Sequence, residues 1–238
     1  MINLEKKGPV FTLTMDYGEN RWNTRFVDEL SMALDEVERS EGPAALITIG
    51  GEEKFYSNGL DLEWLRSPAE RSDAGDPTNF HFMELMGRMI TMPIPTIAAV
   101  NGHAFGAGFM FALCHDYRLM RSDRGYICAN EMQLGMAIPS PELSLFRHKL
   151  PANVFYETVQ LARRWSGTDA LDAGIVQQIA PIESLLTMAL EKAQELAPLG
   201  ENRSVFQRQK EKMFGENAIL SDHHGAAFQL KNKDQYTS

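Results

Sequence analysis

Three short stretches carry residues whose types and spacing could do chemistry. The first is Gly102-His103-Ala104-Phe105-Gly106-Ala107-Gly108, which follows apolar Ala98 to Val100 and leads into Phe109 to Leu119, where apolar residues recur at helical spacing. Glycines let a backbone approach a ligand without Cβ interference, and the first N–H groups of a helix have no partner within it, so this turn is a candidate anion site. The second is Ser57-Asn58-Gly59, which opens another helical stretch, Leu60 to Leu65, with Asp61 in its first turn. The third is Glu131, set among Ala129, Met132, Leu134, Met136 and Ile138. A carboxylate in apolar company has a raised pKa and is placed for general-base work. Each stretch also has a plain structural reading: a tight strand-to-helix connection, a surface turn, and a helix-capping glutamate. The elements around them must decide.

Length and composition bound those elements. The chain has 238 residues, 44% hydrophobic and 23% charged, enough for one sizeable core with a smaller appendage. A net charge of −9 and a pI near 5.2 argue against a nucleic-acid partner, which needs a basic face. Cys114 and Cys128 are the two cysteines, both in apolar surroundings, and no Cys/His cluster has metal-site spacing, so reduced thiols, a cytoplasmic location and no metal are expected. The first residues lack a signal peptide's apolar run, no stretch reaches a membrane span of roughly 20 apolar residues, and the final Tyr-Thr-Ser is not the peroxisomal Ser-Lys-Leu.

In chain order, Ile2 to Leu4 and Val10 to Met15 bracket Lys7-Gly8-Pro9 as a hairpin. Phe26, Leu30, Leu34 and Val37 mark an amphipathic helix capped by Asn23 or Thr24, and Ala44 to Ile49 reads as a strand buried on both faces. Strand, helix, strand implies a right-handed crossover and a parallel sheet. Residues 66–79 read as a polar loop. Phe82, Leu85, Met86, Met89 and Ile90 form one helical face, its methionines filling core. Arg118 to Met120 and Tyr126 to Cys128 read as short strands.

Phe55-Tyr56-Ser57-Asn58-Gly59-Leu60-Asp61-Leu62, then Ala99-Val100-Asn101-Gly102-His103-Ala104-Phe105-Gly106-Ala107-Gly108, then His115-Asp116-Tyr117, resemble the enoyl-CoA hydratase/isomerase (crotonase) family in order and spacing. Ser166 to Val176 extends the likeness, which runs from about Ile2 to Glu195. The resemblance implies an α/β fold with a ββα spiral core over 1–195, a helical oligomerisation region over 196–238, coenzyme A thioester substrates and a trimer or hexamer. It implies an oxyanion hole made by the backbone N–H groups of Leu60 and Ala107, beside Gly59 and Gly106. Lys54 to Asn58 is similar to the main-chain segment that holds CoA, so Phe55, Tyr56, Ser57 and Asn58 are candidate substrate-binding residues, with core packing the alternative for Phe55 and Tyr56.

The resemblance also bears on the reaction. The family's hydratases hold water between two glutamates; Met110 stands at the first position and Glu131 at the second. Methionine neither orients nor deprotonates water, whereas one carboxylate suffices to move a proton from C2 to C4. Met110, Phe109 and Met136 are expected to wall the site against water. The hydratases' Gly-Gly-Thr-Gln is replaced by Ile138-Pro139-Ser140-Pro141-Glu142-Leu143, which resembles the turn of the Δ3,Δ2-enoyl-CoA isomerases. An isomerase of fatty acid metabolism without further cofactor is therefore expected. The alternatives are a hydratase using Glu142, a hydrolase or decarboxylase, and a non-catalytic acyl-CoA-binding protein. In the C-terminal region, Leu185 to Leu196 and Val205 to Phe214 are expected to pack on a neighbouring subunit and lend a cation, among Arg208, Lys210 and Lys212, to CoA phosphates. Residues 221–238 read as a patternless tail, in which adjacent His223 and His224 diverge and form no metal site.

Overall fold

The computed structural model describes residues 1–66, 80–216 and 224–236. Strand β1 (Ile2–Lys7) turns through Gly8, at φ +61°, into antiparallel β2 (Val10–Met15). Helix α1 (Thr24–Arg39) starts at Asn23, whose side-chain oxygen accepts the Phe26 N–H, and buries Phe26, Val27, Leu30, Leu34 and Val37. Strand β3 (Ala45–Gly50) then pairs parallel to β2. The expected hairpin, cap and crossover are all present.

Three ββα turns follow. In each, a strand joins the main sheet, a second strand joins a smaller sheet, and a helical segment returns the chain. The first holds β3, β4 (Phe55–Ser57) and α2 (Leu62–Arg66); between the first two turns runs α3 (Phe82–Ile90). The second holds β5 (Thr96–Val100), β6 (His103–Phe105) and α4 (Ala107–Cys114). The third holds β7 (Tyr117–Arg121), β8 (Ile127–Cys128) and a 3-10 turn, Glu131–Leu134. The main sheet runs β1-β2-β3-β5-β7-β9, with β9 at Gln178–Ala180, and the small sheet runs β4-β6-β8, all parallel. This is the spiral that the sequence implied.

The polar ends of this core are tied inside it. Thr48 Oγ1 lies 2.7 Å from Tyr56 Oη and 2.8 Å from His115 Nε2, while His115 Nδ1 meets the Phe111 carbonyl at 2.8 Å. Burial pulls the His115 imidazole down to about 3, so it stays neutral and joins β3, β4 and the end of α4.

Beyond the spiral come α5 (Ser140–Lys149), α6 (Ala152–Val159), α7 (Gly167–Asp172), α8 (Ile182–Leu196), α9 (Arg203–Phe214) and α10 (Ala226–Lys231). Helix α8 turns Leu185, Ala189 and Ala193 onto Ile47, Ile97, Ala99 and Leu119 of its own sheet. Its apolar face is thus used within the chain, leaving Leu186 exposed. Helix α10 corrects the expectation of a patternless tail: Ala226, Ala227 and Leu230 are buried against α3. The contact is close because α3 presents Gly87, where a Cβ would stand 2.9 Å from the Ala227 carbonyl. Lys231 Nζ reaches Thr91 Oγ1 at 2.8 Å and Lys233 Nζ reaches Glu84 Oε1 at 2.7 Å, closing the seam. Apart from Arg66, which ends α2, the expected loop over 66–79 lies outside the described residues, as does His223.

Candidate active site

Strands β4 and β6 are neighbours in the small sheet, so the turns that leave them emerge side by side. After β4 comes Gly59 at φ +83°, and after β6 comes Gly106 at φ +50°, both in the region that favours glycine. A Cβ at Gly59 would stand 2.7 Å from the Phe105 carbonyl oxygen and 3.4 Å from the Ala107 nitrogen. A Cβ at Gly108 would stand 2.4 Å from the Ser57 carbonyl. Glycine is what lets the first turn of α4 press onto the end of β4.

This contact brings together two unpartnered donors. Trp22 N–H donates to the Gly59 carbonyl at 2.9 Å and Asp61 N–H to the Trp22 carbonyl at 3.0 Å, leaving the intervening Leu60 N–H unused among the described residues. Ala107 is the first residue of α4, and its N–H precedes the helical ladder. Asp61, expected in the first turn of α2, instead caps it: its Oδ1 accepts the Trp64 N–H at 3.1 Å.

Glu131 opens the 3-10 turn that Gly135, at φ +71°, ends. Its Oε1 lies 3.1 Å from where a Cβ on Gly106 would be, which sets the carboxylate beside the Ala107 N–H, and its buried Oε2 has no hydrogen-bond partner. Burial raises its pKa, opposed by a hydrogen bond from its own backbone. A cleft of about 50 Å³ lies between these groups, lined by Asn58, Gly59, Leu60, Gly106, Ala107 and Glu131, with Leu134 and Met136 on its apolar side.

The remaining candidates sit behind the cleft. Tyr56 is fully buried in the Thr48 network, and Ser57 Oγ accepts from Trp22 Nε1 at 2.9 Å while donating to the Asn20 carbonyl at 2.7 Å. Phe55 is buried under the Lys54 ammonium, 5.0 Å from its ring centre. These side chains pack; Asn58 alone of the four lines the cleft, its amide donating to Glu19 at 2.8 Å. Met110 and Phe109 are buried in the main core and are not among the residues that line the cleft, whereas Met136 is. Leu62 and Asn130 also line the cleft, and sequence reasoning gave them no role. Each is adjacent in sequence to a residue it did single out, Asp61 and Glu131.

Glu142, on the first turn of α5, is 3% exposed, and its Oε2 has no partner. Burial, with a smaller push from the Glu131 carboxylate, drives its pKa up to about 8. The folded state therefore holds this proton more tightly than the unfolded chain does. That contribution is complete below about pH 4 and is lost as pH rises, so that by pH 8 roughly 4 kcal/mol of it has gone. Glu142→Gln should consequently raise the melting temperature at pH 8 and change it little at pH 5; equal changes at both pH values would show that the carboxyl is not held neutral.

Spiral topology, two unpartnered N–H donors and one buried carboxylate meet at a single cleft. The sequence model of the family described as enoyl-CoA hydratase/isomerase matches residues 5–236, and the chain is an enzyme belonging to that family. Enoyl-CoA delta isomerase 3 of Arabidopsis thaliana is 29% identical over 93% of the chain and 95% of its own length. The peroxisomal enoyl-CoA delta isomerase 2 of the same plant is 31% identical over 76% and 77%. Among solved structures, a Mycobacterium tuberculosis enoyl-CoA isomerase is 27% identical with a TM-score of 0.77, covering 89% of both chains.

Proposed function

We propose that the protein shifts the double bond of a 3-enoyl-CoA to give the trans-2-enoyl-CoA. The observation that carries this reading is that Glu131 is the one carboxylate lining the cleft among the described residues, and it faces the Leu60 and Ala107 donors. The thioester carbonyl oxygen would accept both N–H groups. Glu131 takes the C2 proton, the enolate charge grows onto that oxygen, and the protonated Glu131 returns the proton at C4. Donors fixed before the reaction stabilise this charge without reorganising. The acyl chain would lie along Leu134 and Met136, which exclude water. No metal or redox group enters the scheme, since coenzyme A belongs to the substrate. The names of the plant relatives support the same direction.

Hydration is the second reading, favoured by the buried and unpartnered carboxyl of Glu142. The two readings separate in one assay. The native protein should consume 3-enoyl-CoA and hydrate crotonyl-CoA slowly or not at all, because no second carboxylate lines the cleft among the described residues. Brisk hydration would overturn the isomerase reading.

The assembly and compartment belong to the same proposal. Leu186 and Val205 are exposed on α8 and α9 and give a partner subunit apolar surface, in keeping with a trimer or hexamer. A monomer mass by light scattering at micromolar concentration would refute it. Of the three cations expected to serve CoA phosphates, Arg208 and Lys212 are exposed, but Lys210 is turned inward and paired. Two buried, unpaired cysteines suit a reducing compartment such as the cytoplasm. Among the described residues no helix is long and apolar enough to cross a membrane.

A further inference from the structure

A second cavity, of about 300 Å³, opens where α9 lies against the start of β7, and it shares no lining residue with the cleft. Its walls include Leu196, Phe206 and Met213, and Lys210 and Asp116 stand among them. Phe206, Lys210 and Met213 recur at helical spacing on the inward side of α9, which is how a lysine comes to be 3% exposed.

The charges around this cavity do not balance. Lys210 Nζ lies 2.7 Å from Asp116 Oδ2, and the same oxygen also accepts the Thr96 N–H at 2.9 Å and its hydroxyl at 3.1 Å. Arg118, two residues along β7 and 6% exposed, donates to the carbonyls of Ile175 and His115 and forms no ion pair among the described residues. The Lys149 ammonium lies over the Phe214 ring at 4.5 Å, again without a carboxylate. Asp116 is the carboxylate that attracts all three cations. Lys210 is the cation that lines the cavity among the described residues, while Arg118 and Lys149, which do not line it, pair with no carboxylate among them and leave positive charge near Asp116 that its single carboxylate does not balance. Lys210 donates to Asp116 Oδ2 and, at 3.4 Å, to the Ile94 carbonyl, and its third donor has only the Phe206 ring, 4.8 Å from Nζ, among the described residues.

We propose that this cavity is a binding site for an amphiphilic anion, a hydrocarbon chain lying between Leu196, Phe206 and Met213 with a carboxylate head directed to Lys210. Its size falls at the lower end of small-molecule pockets, about 300 to 1,000 Å³, and its make-up is theirs: apolar walls with a few placed polar groups. The site stands apart from the acyl-CoA cleft and does not depend on which reaction occurs there.

The test titrates octanoate and octylammonium, which share a chain and differ in head-group charge, into the full-length protein by calorimetry, with 13C-methyl methionine spectra recorded in parallel. Octanoate should bind at one site and shift the Met213 methyl signal, while octylammonium binds about tenfold more weakly or worse, the value of a hydrogen bond to a charged group. Lys210→Met should abolish octanoate binding. Because that change strands Asp116 and threatens the fold, Leu199→Glu is the second variant: Leu199 lines the mouth, is 57% exposed, and a carboxylate there should weaken octanoate binding on an intact fold. Equal binding of the two amphiphiles, or octanoate binding that leaves Met213 unmoved, would overturn the proposal. So would an absence of binding, including the case in which Leu199→Glu dissociates an oligomer and so shows the cavity to be a contact between copies.

Discussion

Glu131→Gln is expected to abolish double-bond migration and C2 proton exchange while leaving CoA-thioester affinity nearly unchanged. The amide keeps the shape of the carboxylate beside Gly106, so the Leu60 and Ala107 donors stay in place, but it accepts no proton at neutral pH. A positioned base contributes about 100- to 10,000-fold, and one that serves both proton transfers should fall at the upper end. Isotope exchange at C2 and the rate of 2-enoyl-CoA formation measure the loss directly. A fall of less than about tenfold, roughly 1.4 kcal/mol of barrier, would mean that another group carries the proton, with Glu142 the first to examine. Loss of folding together with binding would make Glu131 a structural residue.

Gly59→Ala should cost nearly as much by a different route. Any Cβ there meets the Phe105 carbonyl at 2.7 Å, and since that atom is backbone, relief requires the two turns to separate. Separation pulls the Leu60 and Ala107 N–H groups off a common oxygen, and losing one such donor costs about 100- to 1,000-fold in turnover. Gly8→Ala is the control. It too has a positive φ, +61°, but nothing lies within 4 Å, so it carries the backbone strain of about 1–2 kcal/mol without displacing a donor. Gly59→Ala should lose more thermal stability than Gly8→Ala, and Gly59→Ala alone should lose turnover. Turnover within fivefold of the native rate for Gly59→Ala would remove the Leu60 donor from the mechanism.

The elements legible in the sequence are those set by local pattern. The β1–β2 hairpin, the Asn23 cap, the buried β3 and the apolar face of α3 each follow from neighbouring residues, and each is in the structure. Strands β4 and β6 were not legible because each is three residues long and exists by pairing with the other across some fifty positions. The apolar run after Gly108 predicts a helix to Leu119, yet α4 stops at Cys114, where the main sheet claims Tyr117–Arg121. Helix α5 was hidden by Pro139 and Pro141, which look like a turn but occupy helix-start positions where a missing N–H costs nothing. At the site, the glycines and Glu131 were recognisable because backbone geometry and burial demand those residue types. From its place in the motif Met110 reads as part of the wall, while in the structure it is buried in the main core and Met136 lines the cleft.

The seam between α3 and α10 has a bearing on how the molecule is made. Gly87 meets Ala227 and Leu230 across well over half the length of the chain, and Lys231 and Lys233 fasten that contact to Thr91 and Glu84. During synthesis the partner of α3 leaves the ribosome long after α3 itself, so the nascent spiral must wait with this part of α3 uncovered. Contacts so distant in sequence form slowly and leave apolar surface open to association in the meantime. Emergence of α10, rather than completion of the sheet, is then the step that releases the protein from that hazard.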